Sequence, residues 1–214
     1  MSFLGESGLQ VKICGITNAA DAAMCAAAGA DALGFNFFPG SPRSIDPDQA
    51  IPWIRDLGGS PARVAVVVNP DAALLEMLRA AECFEWIQFH GDETPDFCAG
   101  AGWEHWIKAV RGSEAGVLAG ALEFQAPGLL LDAWSADAYG GTGKRLDWDL
   151  ARNFARQNPA RKILLAGGLD VPNVRQAVRI VRPHAVDVAS GVELSPRKKE
   201  DALVREFVRL AKAA

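Results

Sequence analysis

The chain has 214 residues, half of them hydrophobic, which suits one folded domain since domains run to roughly 100–200 residues. Its 22 basic and 26 acidic side chains leave a net charge of −4, so no positive field draws it to nucleic acid or an anionic membrane. The apolar stretch 19–38 contains Asp21, Asp31 and Asn36, and the first ten residues lack the pattern of a signal peptide. We therefore expect a cytoplasmic protein that binds neither nucleic acid nor a membrane.

Short apolar runs alternate with helical stretches along the whole chain. The predicted strands cover residues 11–16, 32–37, 63–68, 86–89, 105–110, 128–132, 162–166 and 185–189. The predicted helices cover residues 18–29, 47–57, 71–82, 95–101, 114–120, 149–156, 172–181 and 199–213. This alternation indicates a parallel sheet covered by helices.

The number of units favours a closed barrel over an open sheet. Eight strand–helix units in 214 residues average about 27 residues each, near the lower limit for a (β/α)8 barrel. The alternative is a doubly wound open sheet, but no G-x-G-x-x-G motif follows the first strand. We predict an α/β protein with a single (β/α)8 TIM barrel of near-minimal length.

Two strand ends carry candidate catalytic side chains, because barrel chemistry occurs at the carboxyl ends of the strands. Lys12 and Cys14 share one face of the first strand, and a neighbouring ammonium favours the thiolate, the form that acts as a base. The alternative is that Cys14 is a small core hydrophobe. Asp132 follows three leucines at the end of the sixth strand. Burial raises a carboxyl pKa and suits a general acid, unless loop amides merely satisfy the group.

The loops after the seventh and eighth strands are candidates for binding phosphate. Gly167 and Gly168 follow the seventh strand, and Ser190 and Gly191 follow the eighth. Barrels that handle phosphorylated sugars often use backbone amides at these two places, although tight turns would also explain either loop alone. Asp187 has the parity of an inward-facing residue and is a candidate to hydrogen-bond a sugar hydroxyl.

Three further residues are candidates for binding substrate. Arg43 lies in a proline-flanked loop after the second strand, where its guanidinium can meet a carboxylate. His90 ends the fourth strand, and Gly141 lies in the glycine-rich loop 139–144, a candidate lid. His105 and His184 precede strands and are expected to be structural. With one histidine on the rim and no C-x-x-C pair among four cysteines, we expect no metal site.

Seven segments in chain order carry a family resemblance. They are 12–17 (KICGIT), 34–43, 88–91 (QFHG), 131–132 (LD), 139–144 (YGGTGK), 166–169 (AGGL) and 186–193 (VDVASGVE). Together they resemble the phosphoribosylanthranilate isomerase family of tryptophan biosynthesis. The resemblance runs from about residue 11 to 200, which leaves 1–10 as an unmatched extension before a barrel domain at 11–214.

The resemblance implies a cofactor-free Amadori rearrangement. Its substrate is N-(5-phosphoribosyl)anthranilate and its product is 1-(o-carboxyphenylamino)-1-deoxyribulose 5-phosphate. The expected partner is therefore a small phosphorylated substrate, and the protein is expected to be a monomer or a homodimer. By resemblance, Asp132 is the acid that protonates the ribose ring oxygen, and Cys14 as thiolate removes the C2 proton. Arg43 then pairs with the anthranilate carboxylate.

Two other classes of function are open at this point. Another barrel enzyme that acts on a phosphorylated sugar, such as an epimerase, a lyase or the histidine-pathway isomerase, would have the same phosphate loops. The histidine-pathway isomerase pairs two aspartates, whereas Cys14 stands at the first of those positions. A non-catalytic phosphate-binding module would have no need for an acid and a thiol that face each other.

Overall fold

The computed structural model describes residues 3–5, 7–58, 61–112, 115–132 and 146–214. Within these ranges, eight parallel strands form a closed barrel in which β8 pairs with β1. The strands are β1 (Gln10–Cys14), β2 (Ala32–Asn36), β3 (Ala62–Val67), β4 (Trp86–Phe89), β5 (Trp106–Arg111), β6 (Gly128–Asp132), β7 (Lys162–Leu165) and β8 (Ala185–Val188). The closed barrel confirms the predicted fold class and excludes the open sheet.

A helix follows each strand, as the alternation predicts. The α-helices of the described ranges are α1 (Ala19–Ala27), α2 (Pro47–Arg55), α3 (Ala72–Ala80), α4 (Pro95–Gly100), α5 (Ala115–Gly120), α6 (Trp148–Gln157), α7 (Val174–Val181) and α8 (Asp201–Lys212). None of these helices has the length and apolar character that crossing a bilayer requires.

Polar residues at the ends of the strand–helix loops fix where many helices begin. The side chains of Asn18, Asp46, Asp71, Thr94 and Asp147 each accept a hydrogen bond from an amide in the first turn of the following helix. Such caps satisfy amide hydrogens that have no partner within the helix. They hold the loops at the carboxyl end of the barrel in defined positions.

A two-stranded hairpin that the sequence pattern does not predict separates β8 from the last helix. It consists of β9 (Glu193–Ser195) and β10 (Lys198–Lys199), which pair antiparallel. The turn between them uses Arg197 in the left-handed region, at φ 75°. The hairpin lies beside the carboxyl end of β1, because the Lys199 ammonium donates to the carbonyl of Cys14.

The barrel interior changes character along its axis. Inward side chains near the amino end are apolar and include Trp86 and Leu164. Phe3 and Leu4 pack into this cluster and are 3% and 4% exposed. The Phe3 ring meets the Trp86 ring edge-on at 5.9 Å. Two residues of the predicted N-terminal extension therefore contribute to the core of the barrel.

The helices pack on the outer faces of the strands and form a second, larger core. Its members include Ile13 on β1 and Phe35 on β2, which are both fully buried. Residues two apart on one strand share a face, so Ile13 faces the helices while its neighbours Lys12 and Cys14 face inward. The predicted orientation of Lys12 and Cys14 is what the structure shows, since both lie beside Asp187 inside the barrel.

Candidate active site

A pocket opens at the carboxyl end of the barrel, where the sequence places the chemistry. Five of the predicted site residues line it, namely Cys14, Arg43, His90, Asp132 and Asp187. They come from β1, the loop after β2, the end of β4, β6 and β8. The fold thus brings together side chains that are far apart in the chain.

Cys14 lies against a buried ion pair. The Lys12 side chain is 0% exposed, and its Nζ lies 2.7 Å from Asp187 Oδ1. Burial raises the pKa of the Cys14 thiol; the Asp187 charge raises it further, and Lys12 opposes both. The expected effect of Lys12 is present, but burial outweighs it, so the resting group is a thiol.

A glycine leaves room for the side chains of Lys12 and Cys14 inside the barrel. Gly34 on β2 pairs with Cys14 in the sheet. A Cβ at Gly34 would lie 2.8 Å from Cys14 Sγ and 3.1 Å from Lys12 Nζ. Because both distances are shorter than ordinary van der Waals contact, any larger residue at this position would push the sulfur or the ammonium away.

His90 and Asp132 are neighbours in the lining of the pocket. His90 Nε2 lies 3.3 Å from Asp132 Oδ2, and each side chain is 10% exposed. On the other side of the ring, the Gln88 side-chain nitrogen lies 2.8 Å from His90 Nδ1. With the Gln88 amide donating to Nδ1, a neutral imidazole carries its proton on Nε2, which faces the Asp132 carboxyl group.

Arg43 is held by a residue to which the sequence assigned no role. Its Nε and Nη2 donate to the two carboxylate oxygens of Glu193 at 2.8 and 2.6 Å. The Lys199 ammonium donates to Glu193 Oε1 at 2.9 Å. Although burial opposes ionisation of Glu193, these two cations hold the pKa of its carboxyl below the usual value. Arg43 therefore meets the pocket with part of its guanidinium already engaged.

The two predicted phosphate loops lie against each other. Gly167 and Gly168 are both left-handed, at φ 80° and 70°, and Ser190 begins a short 3-10 helix. A Cβ at Gly191 would lie 2.0 Å from the carbonyl oxygen of Leu169, so only glycine allows this approach. No acceptor among the described residues takes the amide hydrogens of Gly168 and Gly191. Gly141 lies outside the described residues.

The remaining cysteines and histidines lie away from the pocket, as the sequence indicates. Cys25 on α1 and Cys98 on α4 are fully buried, and burial raises the pKa of each thiol to about 12. Cys83 is buried just after α3. His105 stacks on Trp86 at the amino end of the barrel, and there His184 Nδ1 accepts the amide hydrogen of Ile163. These groups shape the core and not the pocket.

Sequence reasoning also missed a buried ion pair behind the loop that follows β4. Lys108 Nζ donates to Glu93 Oε2 and to the carbonyl of Gly91, both at 2.7 Å. The Glu93 carboxylate in turn accepts the amide hydrogens of Asn69 and Gly91. The period of two on β5 places Lys108 on the side of the helices, because its neighbours in sequence face the barrel interior. No local pattern, however, indicates that Glu93 is its partner.

Chemistry in barrels of this kind takes place at the carboxyl ends of the strands, and the pocket lined by both an acid and a thiol marks the chain as a (β/α)8-barrel enzyme. A family model described as N-(5'phosphoribosyl)anthranilate (PRA) isomerase matches residues 11–210. The chain belongs to this family of isomerases.

Individual relatives agree with the family match over nearly the whole chain. The N-(5'-phosphoribosyl)anthranilate isomerase of Pelobacter propionicus is 44% identical over 204 residues, which cover 95% of this chain and 96% of the relative. The enzyme of the same name from Geobacter sp. strain M21 is 48% identical over 208 residues, which cover 95% and 98%. Family membership confirms the resemblance and argues against the other barrel enzymes and the non-catalytic module.

Solved structures show the same fold. The crystal structure of phosphoribosyl anthranilate isomerase from Thermotoga maritima superposes with a TM-score of 0.86 at 36% identity and covers 96% of this chain and 100% of its own. A phosphoribosyl anthranilate isomerase in complex with reduced 1-(o-carboxyphenylamino)-1-deoxyribulose 5-phosphate superposes at 0.83, with 36% identity and coverage of 96% and 100%.

Proposed function

We propose that the protein converts N-(5'-phosphoribosyl)anthranilate into 1-(o-carboxyphenylamino)-1-deoxyribulose 5-phosphate in tryptophan biosynthesis, with Asp132 as general acid and Cys14 as general base. The observation that carries this proposal is that a carboxyl from β6 and a thiol from β1 line the same pocket. Family membership supports the reaction, and the geometry supports the assignment of the two residues.

In the first step, Asp132 gives its proton to the ribose ring oxygen. The bond between C1 and the ring oxygen breaks, and the nitrogen lone pair forms a C1 iminium, which carries the positive charge. His90 Nε2, at 3.3 Å from Asp132, then hydrogen-bonds the carboxylate that remains. General acid catalysis of this kind contributes about 10²–10⁴-fold to the rate.

In the second step, Cys14, whose thiol proton has passed to solvent, takes the proton from C2 as the thiolate. The electrons of the C2–H bond form a C1=C2 double bond and neutralise the iminium nitrogen, and the resulting enolamine tautomerises to the ketone. Because burial raises the pKa of Cys14, the thiolate needs cationic neighbours. Lys12 supplies one, and the iminium formed in the first step supplies a second. The nitrogen is the electron sink, so the reaction as proposed uses no cofactor.

Binding places C1 and C2 between the acid and the base. The phosphate would be held by the backbone amides of Gly167, Gly168, Ser190 and Gly191. The close approach of the two loops, which only a glycine at position 191 allows, supports this assignment because it brings amides of both loops to one place. Asp187 gives one oxygen to Lys12 and has a second to accept a hydrogen bond from a ribose hydroxyl.

The remaining parts of the proposal concern the anthranilate end of the substrate and the oligomeric state. Arg43 would pair with the anthranilate carboxylate, and Gly141, which lies outside the described residues, is proposed to contact the substrate. The phosphoribosyl anthranilate isomerase of Thermotoga maritima is described as dimeric. We propose a monomer or a homodimer for this protein, which sedimentation of the purified chain would distinguish.

The loss of substrate fluorescence during turnover tests the proposal. Wild-type protein should consume N-(5'-phosphoribosyl)anthranilate, and Asp132→Asn and Cys14→Ser should each lose about 10²–10⁴-fold in kcat while they remain folded. Cys98→Ser, which changes a buried thiol outside the pocket, is the matched control and should keep its activity. Full activity in Cys14→Ser would show that the base is elsewhere. Absence of turnover by the wild-type protein would refute the reaction itself.

A further inference from the structure

A buried charge cluster lies beside the pocket, and the proposed reaction uses only one of its members. It consists of Arg43, Glu193 and Lys199, whose side chains are 9%, 3% and 0% exposed. The Glu193 carboxylate lies between the two cations and accepts hydrogen bonds from both, all between 2.6 and 2.9 Å. Two positive groups and one negative group leave the cluster with a net charge of +1.

Glu193 fixes the direction in which Arg43 meets the pocket. Two parallel hydrogen bonds from Nε and Nη2 to one carboxylate lock the plane of the guanidinium. The remaining hydrogens, on Nη1 and on the outer side of Nη2, then lie on the other edge of the fork, away from the Glu193 carboxylate. An arginine on a long side chain without this partner would spread over several rotamers.

Further contacts anchor the cluster to the barrel itself. Lys199 Nζ donates to the carbonyls of Cys14 and Ala189 at 2.7 and 3.0 Å, so it joins the ends of β1 and β8. The Arg43 side chain crosses directly over Gly15, where a Cβ would lie 2.3 Å from Arg43 Cδ. Gly15 is left-handed at φ 77°, which glycine adopts without strain. The arginine is therefore guided at its stem and at its guanidinium.

The Arg43 guanidinium, which is rigid, nearly buried and part of a cluster with net positive charge, is suited to bind a carboxylate. A planar carboxylate on an aromatic ring pairs with an arginine edge in a fixed geometry, and desolvation strengthens the pairing. We propose that Glu193, anchored by Lys199, is a positioning residue that holds Arg43 for an aromatic carboxylate and so makes the enzyme select carboxylated N-aryl substrates. This inference rests on the proposed function, because it takes the anthranilate carboxylate as the ligand of Arg43.

Two matched probes separate this role from a merely structural one. The first is reduced 1-(o-carboxyphenylamino)-1-deoxyribulose 5-phosphate, and the second is the same compound made from aniline, which lacks the carboxylate. Calorimetric titration of both probes gives the ratio of their Kd values, and wild-type protein should bind the first more tightly. In Glu193→Gln the ratio should fall by about tenfold or more, because Arg43 loses its ionic partner. Binding of the aniline probe should change by less than about twofold.

Kinetics and a second variant extend the test. Glu193→Gln should raise KM for the natural substrate more than it lowers kcat, whereas general damage to the fold would also weaken the aniline probe. Glu193→Asp keeps the charge but withdraws the carboxylate by one methylene, so it should give an intermediate ratio even if the glutamine variant unfolds. Glu85→Gln, which removes a carboxylate paired with Arg63 on the surface, is the control and should leave the ratio unchanged.

The possible outcomes distinguish the inference from the function beneath it. An unchanged ratio in both Glu193 variants, or a ratio that rises because Arg43 is released from a competing carboxylate, would overturn the positioning role alone. If the wild-type protein itself shows no preference for the carboxylated probe, Arg43 does not bind a carboxylate and the proposed function fails at that residue.

Discussion

The two ends of the barrel interior are built from opposite kinds of side chain. At the carboxyl end, Lys12 and Asp187 form a buried ion pair, and further charged groups surround the pocket. At the amino end, Phe3, Leu4 and Trp86 pack in an apolar cluster. The difference shows how one barrel separates two tasks, since the amino end contributes stability and the carboxyl end places reactive groups.

The energetics of burial explain why these tasks lie apart. Full burial of a large apolar side chain contributes about 1.5–3 kcal/mol to the free energy of folding. A buried ion pair contributes little or nothing net, because removing both charges from water costs about as much as their attraction returns. We therefore expect truncation of apolar side chains at the amino end to lower stability without changing turnover, and substitutions at the carboxyl end to change turnover. Loss of one partner of the buried ion pair would lower stability as well, because it leaves an unpaired charge.

The largest effect on stability is expected from Phe3→Ala. Removal of a buried phenylalanine ring costs about 3 kcal/mol, because the packing against Trp86 is lost and a cavity remains. Urea unfolding followed by tryptophan fluorescence should show the decrease, while kcat under native conditions stays within about twofold of wild type. Leu194→Ala is the control, since Leu194 is 64% exposed and its truncation should leave the unfolding midpoint unchanged.

Either of two results would contradict this separation. An unchanged free energy of unfolding in Phe3→Ala would mean that Phe3 does not contribute to the core. A large loss of kcat in a variant that is still folded would mean that the packing at the amino end reaches the pocket.

The sequence predicts the barrel well but not that Phe3 and Leu4 join the apolar cluster at its amino end. Eight alternating units and the period of two on β1 are local patterns, and they place Lys12 and Cys14 inside the barrel. Phe3 and Leu4 stand next to Gly5 without any periodic neighbours. Their burial depends on contacts with Trp86 and other residues far along the chain, which no local pattern encodes.

The candidate site divides in the same way between local and distant information. Strand ends can be found from the sequence, and five of the residues predicted there line the pocket. The pairing of Arg43 with Glu193 joins positions 150 residues apart through a short hairpin, so no local pattern indicates it. The thiol of Cys14 shows a second limit, because its neighbour Lys12 is visible in the sequence but the depth of burial is not.

A smaller effect, at the carboxyl end, is expected from Gly34→Ala. The added Cβ would lie 2.8 Å from Cys14 Sγ and 3.1 Å from Lys12 Nζ, so the sulfur or the ammonium must move. A displacement of this size lowers kcat about ten- to a hundredfold, whereas overpacking costs only about 1 kcal/mol of stability. Gly100→Ala, where the added Cβ meets open space, is the matched control. Equal kcat in Gly34→Ala and wild type would show that the sulfur position does not limit turnover.

The smallest effect concerns the pH dependence of stability at the amino end. His184 Nδ1 accepts the amide hydrogen of Ile163 at 3.1 Å, which requires that nitrogen to be unprotonated. Burial, and secondarily the charge of Lys162, lowers the pKa of His184 from its usual 6.5. Because the unfolded chain then takes up the proton more readily than the folded chain, acidification below 6.5 favours unfolding.

Replacement of this histidine should therefore make the protein less sensitive to mild acid. In wild type, the urea midpoint should fall between about pH 7 and pH 5, the range in which an ordinary histidine takes up its proton, and His184→Asn should remove part of that fall because asparagine does not titrate. Lys162→Gln should also reduce it, since loss of the neighbouring positive charge raises the pKa of His184 toward its usual value. The pH profile of kcat should be the same in all three proteins, because His184 lies at the end of the barrel away from the pocket. A fall of equal size in wild type and His184→Asn would assign the acid sensitivity to other groups, and a shifted kcat profile would connect the two ends.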